Sequence, residues 1–235
     1  MTTTPYPFDA ETWALLPGYF DRLPRPVHLH MWGSERQTED ERETAVLCRT
    51  LAEQFEKIQF RLFPRRVSYD YYPVIGVMGE QEGEGRKTED GSDEATPSSV
   101  LSPPSTIDYG VRIVGWPVGY QLTSLITAIQ VVSFKGQTLE PKTRIQLRGL
   151  KQEVSLQILT AANNETGALV AKTAFALCVA HEQVRAYLIM ADRFPEAMFK
   201  FSAYQLPHTV INGRYHVDGP LSEEDLLKHI ARAVK

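Results

Sequence analysis

Residues 154–178, VSLQILTAANNETGALVAKTAFALC, decide the fold. Residues 154–159 read as a buried strand, 160–167 as a polar loop, and the remainder as a helix rich in Ala, Leu and Val. A strand that runs straight into a helix aims the first backbone N–H groups of that helix at one point. Such a point suits an anion, a thiolate or the end of a bound peptide. The loop Ala161-Ala162-Asn163-Asn164-Glu165-Thr166-Gly167 holds no Cys, His, Lys or Ser, so the place built for reactivity lacks an evident reactive group.

Working outward, a chain of 235 residues with 43% apolar residues has room for one large domain or two ordinary ones. Its net charge of −4 argues against a nucleic-acid binder or an anionic-membrane binder. The start, MTTTPYPFDAE, has neither a basic nor an apolar stretch of the kind a signal peptide needs. The most apolar run, 168–180, contains Lys172 and is shorter than the ~20 residues of a membrane span, so no membrane insertion is expected. Cys48 and Cys178 lie far apart with no Cys-x-x-Cys spacing, which suits a reducing cytoplasm and excludes a disulfide framework or a cysteine zinc site.

Before this stretch, residues 1–7 read as a loose arm. Asp9 reads as the cap of a helix carrying Trp13, Leu16 and Phe20, which Pro17 should kink or break. Residues 27–32 alternate as a strand, 33–40 as a polar loop, and 41–55 as an amphipathic helix. Strands follow at 58–63 and 74–78. Residues 80–105 then become Glu-, Gly-, Ser- and Pro-rich with almost no apolar side chains, and are expected to be a disordered acidic insertion. A strand at 109–114, a turn at Gly115-Trp116-Pro117 and a helix at 121–132 close the first half. The second half repeats that order: a Pro141-initiated helix, the strand at 154–159, a helix at 168–181, a strand at 184–190, a hairpin turning tightly at Asn212-Gly213, and a helix from Glu223 capped by Ser222. Residues 1–134 and 135–235 therefore read as two copies of one unit.

A β-α-β unit, then a Pro-initiated hairpin, then a last helix resembles the thioredoxin fold. Two fused copies look like the tandem thioredoxin-fold proteins, namely the archaeal protein disulfide oxidoreductases and the N-terminal region of the alkyl hydroperoxide reductase F subunit. The resemblance covers nearly the whole chain apart from the insertion. It is carried by YGVRIVGWPVGY at 109–120, LEPKTR at 139–144 and LPHTVING at 206–213. It implies an α/β fold of two tandem thioredoxin-like units, each a mixed four-stranded sheet flanked by helices. It also implies that Pro73 and Pro207 are cis and flank the active-site loops.

The departure lies at the active site. The family places Cys-x-x-Cys where the second half has Asn163, Asn164, Glu165 and Thr166, and where the first has Arg36, Gln37, Thr38 and Glu39. Thiol–disulfide exchange needs a thiolate stabilised at a helix N-terminus and a second thiol to resolve the mixed disulfide. Neither half supplies either, so no catalytic residue is assigned. Cys48 and Cys178 fall on apolar helix faces as small buried hydrophobes. His28 and His30 share one side of a strand, but two ligands make no metal site, and Ser155 and Gln157 hold the matching places; no metal or cofactor is expected. Asn163, Asn164 and Thr166 read as ordinary helix capping. The alternative keeps the old groove for binding, with Leu206 before Pro207, and Tyr72 before Pro73, beside an extended peptide.

The expected function is a redox-inactive, cytoplasmic adaptor or scaffold subunit that binds a protein or extended peptide, its oligomeric state left open. The enzymatic alternative is residual thiol–disulfide exchange through Cys48 or Cys178. A third reading is a subunit of a membrane-peripheral or multi-enzyme assembly, docked through the acidic insertion and the aromatic Tyr6, Phe8 and Trp13.

Overall fold

The computed structural model describes residues 8–81 and 105–234. Its elements run α1 (Ala10–Phe20), β1 (Val27–Trp32), α2 (Glu39–Gln54), β2 (Ile58–Phe63), β3 (Val74–Glu80), β4 (Thr106–Val114), α3 (Tyr120–Ser133). The second half continues α4 (Pro141–Leu147), β5 (Val154–Thr160), α5 (Glu165–Ala180), β6 (Val184–Met190), α6 (Pro195–Lys200), β7 (His208–Ile211), β8 (Tyr215–Asp218), α7 (Glu223–Ala233).

The two expected four-stranded sheets, β2-β1-β3-β4 and β6-β5-β7-β8, are joined into one eight-stranded sheet. The junction is a parallel pairing of β4 with β6, Val111 opposite Ala186 through Val114 opposite Ile189. Strand β1 is parallel to β2 and antiparallel to β3; β3 is antiparallel to β4, and β5 is parallel to β6. Hence β1, β4, β5 and β6 all point the same way. Their C-terminal ends form one rim of the sheet.

Alternation along each strand divides the core. Val27, Leu29, Val111, Ile113, Leu156 and Ile158 pack with the buried sides of α2, α3 and α5. On the opposite face a smaller cluster gathers Trp32, Val74, Val114, Leu159 and Ile189 with Ala197 of α6. His28 and His30 lie on that second face beside Trp32, both buried, with both ring nitrogens of His28 and Nε2 of His30 unpartnered among the described residues.

Several expectations are corrected. Helix α1 is not broken at Pro17 but runs through it to Phe20, held by the Asp9 cap and by burial of Leu16 and Phe20. Helices α2 and α5 each begin about one turn or less before the apolar pattern does, because their first turns are polar and capped by Thr38 and Asn164. Helix α6 carries no periodic signal and was not expected. Phe8 and Trp13 are not a free docking arm: they pack on each other at 5.9 Å, and Trp13 on Phe55 at 6.2 Å. Tyr6 lies outside the described residues, as do 82–104 of the expected insertion. Its ends are ordered, with Glu80 closing β3 opposite Thr106 and the Gln81 N–H donating to the Ser105 carbonyl at 2.9 Å. Among the described residues no helix is long and apolar enough to cross a membrane.

Candidate functional site

Because β1 and β5 are parallel, the strand-to-helix turns of both halves open on the same rim. The helix starts after them are the two places where the resemblance would put the family's Cys-x-x-Cys. The prolines that face them, Pro73 and Pro207, are both cis.

In the first half the start of α2 is filled by the chain's own charges. Thr38 accepts from the Glu41 N–H at 3.2 Å, and its hydroxyl donates to Glu41 Oε2 at 2.9 Å. The fully buried Glu41 carboxylate also takes the Ser34 N–H at 2.8 Å and a two-pronged contact from Arg65 at 2.9 and 2.7 Å. Burial alone would raise the carboxyl's pKa; Arg65, Ser34 and Thr38 outweigh it and hold it below the usual range. The Arg65 guanidinium lies 4.9 Å from the ring centre of Tyr72, whose hydroxyl donates to the Arg66 carbonyl. Tyr72 is the residue before cis-Pro73, so Arg65 joins the helix start to the proline turn. Arg36, Gln37, Thr38 and Glu39 are exposed. Counting from the caps, Thr38 matches Asn164, which moves the matching four places by one residue, to Gln37, Thr38, Glu39 and Asp40.

The second half is built differently. Asn164 caps α5, taking the Gly167 N–H at 2.7 Å and the Thr166 hydroxyl at 3.0 Å. The loop before it is gripped from the first half. The fully buried Gln121 of α3 shares its two Nε2 hydrogens among Thr160 Oγ1 at 3.1 Å, Ala161 O at 2.9 Å and Asn164 O at 2.8 Å. The Tyr120 N–H donates to Ala162 O at 2.9 Å, and the Ala162 N–H donates to Asp192 at 3.2 Å. Gly119 (φ +58°) lies so close that a Cβ there would sit 2.4 Å from Ala162 O. Asn163, Glu165 and Thr166 are exposed, Leu206 is half-buried and Pro207 is buried. A shallow depression lined by Gly119, Tyr120, Thr123, Ala162 and Asn163 opens beside them.

Across the rim, Arg193 reaches Asp40 at 3.4 Å and lies 5.2 Å from the Trp116 ring centre, tying the two turns together. After Pro207, His208 Nδ1 is 2.6 Å from Asp218 Oδ1, and its Nε2 is 3.0 Å from His216 Nδ1. The thiols are elsewhere. Cys48 and Cys178 are buried in the helix-side core, about 15 and 21 Å along their helices from the caps at 1.5 Å per residue. Burial pushes the Cys48 thiol up to about 12 and raises that of Cys178 further.

Sequence reading missed Glu41, Arg65 and Gln121. The Thr38-x-x-Glu41 spacing of a capping box was a usable signal for the first; nothing local marks the other two, whose partners are 24 and about 40 residues away.

The fold agrees with solved structures. The NTD N/C domain of an alkylhydroperoxide reductase from Enterococcus faecalis (V583) superposes with a TM-score of 0.76 at 17% identity, covering 95% of this chain and 99% of that one. A protein disulfide oxidoreductase from Aeropyrum pernix K1 superposes with a TM-score of 0.75 at 18% identity, covering 96% and 93%. This is a tandem thioredoxin-like fold. In sequence, the chain is 24% identical over 141 residues to the F subunit of alkyl hydroperoxide reductase from Pseudomonas aeruginosa, covering 60% of this chain and 27% of the relative. The chain thus spans well under half of that relative's length. No family model matches. Whereas the thioredoxin-like chemistry needs two thiols at one helix start, this tandem thioredoxin-like chain places a polar cap at each.

Proposed function

We propose that the chain is a binding subunit made of two thioredoxin-like units, residues 1–134 and 135–235, without dithiol chemistry. The reading rests on one observation: capping side chains occupy both helix starts, while both thiols are buried deep in the helix-side core. A buried thiol held at a high pKa is neither a nucleophile nor accessible to a disulfide. The first unit's turn is blocked by the Glu41–Arg65–Tyr72 assembly, so recognition falls to the second. There Asn163, Glu165 and Thr166 are exposed at the helix start and Leu206 precedes cis-Pro207, a setting in which an extended peptide can pair with main chain. The sequence relative is by name a subunit of alkyl hydroperoxide reductase, which makes a cytoplasmic protein of peroxide or thiol metabolism the natural class of partner.

The test compares insulin-disulfide reduction by the native chain with that by the Asn163→Cys/Thr166→Cys variant, alongside thiol labelling of Cys48 and Cys178. The expected result is an inert native chain with thiols that react only on denaturation, and a variant that gains activity because the groove is intact. Reduction by the native chain with rapid labelling of either cysteine would replace this reading with thiol–disulfide exchange.

A further inference from the structure

Helix α1, AETWALLPGYF, carries apolar side chains on both of its sides. Leu16 and Phe20 turn inward, with Trp13 packed beside them on the helix-side core. The opposite side faces outward, with Leu15 57% exposed and Ala14 and Gly18 exposed beside it. A helix that is apolar all round is ordinarily covered on every side. Residues three and four apart share a helix face, so Glu11, Leu15 and Gly18 form one outward seam, and Arg22 continues it just past the last turn. A side chain added at Gly18 would meet nothing within 4 Å, so the seam has a notch there. Glu11 and Arg22, at its two ends, are exposed and form no ion pair among the described residues.

We infer that α1 packs antiparallel on α1 of a second copy of this chain, making a twofold dimer. Charge fixes the direction. Run antiparallel, the two helices bring Glu11 opposite Arg22 of the partner subunit at both ends of the seam. Run parallel, they would set like charges opposite each other. Shape agrees with that register. The same alignment seats Leu15 over the notch at Gly18 of the partner subunit, and the symmetry repeats the contact. The small side chains at Ala14 and Gly18 let the helix axes approach to about 8 Å. The seam is therefore its own complement in both charge and shape, and a patch that fits itself closes at two copies. Eleven residues span only about 16 Å, so the contact is small and the association weak.

The test is sedimentation equilibrium of the full chain at concentrations up to about 500 µM. The expected result is a monomer–dimer equilibrium with a Kd on the order of 10–100 µM. Glu11→Arg and Arg22→Glu should each weaken it about tenfold, by setting like charges together at both ends of the seam. The double variant Glu11→Arg/Arg22→Glu should restore it to within about threefold. Gly18→Leu fills the notch and should weaken it at least about tenfold, with the Tm of the monomer unchanged or raised because Leu favours helix over Gly. A monomer at every concentration overturns the inference, and that measurement on the native chain stands whether or not a variant folds. So does a dimer indifferent to the single reversals, which another surface would then join, or one that the double variant fails to restore.

Discussion

His30 is a neutral base held under a sheet face, and its environment makes stability depend on pH. Burial lowers its pKa to about 4, with the neighbouring His28, Arg61 and Arg112 pushing the same way and Asp108 opposing. His28 is shifted in the same direction, chiefly by burial. A histidine whose folded pKa is depressed binds its proton more readily in the unfolded chain. Its contribution is therefore fully present above the unfolded pKa of 6.5 and is lost as pH falls from there through about 4. For His30 alone this amounts to about 3 kcal/mol at most. Urea-unfolding midpoints should fall over that interval, and His30→Phe, which keeps the contact with Phe63 at 4.9 Å, should flatten the slope. An unchanged slope in the variant would assign the pH dependence to other groups. The alternation at 27–32 made the shared side of the two histidines legible in the sequence. Their burial was not, because it depends on what packs over the strand from distant parts of the chain.

Among elements, the most consequential contact is the approach of α3 to the loop before α5. Gly119→Ala would force a Cβ against the Ala162 carbonyl while holding a backbone angle that side chains disfavour. The expected loss is about 2–4 kcal/mol, read as a Tm lowered by roughly 5–10 °C in a chain of this size. An unaltered Tm would mean that the loop yields freely and is not gripped. Local patterns gave the elements well: the strands at 27–32 and 184–190 are observed with those bounds, and both cis prolines stand where the resemblance put them. They failed where one residue matters. The hairpin at Asn212-Gly213 looked like a two-residue turn, yet Ile211 pairs with Tyr215, so the loop has one residue more. That single step sets His208 opposite Asp218 and Val210 opposite His216, since a shift of one reverses which face each side chain meets. Helix α6, six residues long, is too short to display a period.

For the whole molecule, the succession of strands along each half was legible because each strand carries its own local pattern. The β4–β6 pairing was not, because each strand's row of main-chain groups is blind to which partner will satisfy it. That pairing makes the two halves share one ladder of hydrogen bonds, so unfolding in urea should be a single transition with coincident far- and near-ultraviolet circular dichroism. Separated transitions would mean that the halves melt independently. The junction also bears on how such a chain tolerates being cut. Severed between residues 134 and 135, each fragment would carry a raw strand flank that aggregates alone or finds its missing mate. Mixed at equal concentrations, the two pieces should reassemble into a complex the size of the intact chain, a split protein rejoined by its strand pairing and by the apolar packing of α3 on α5.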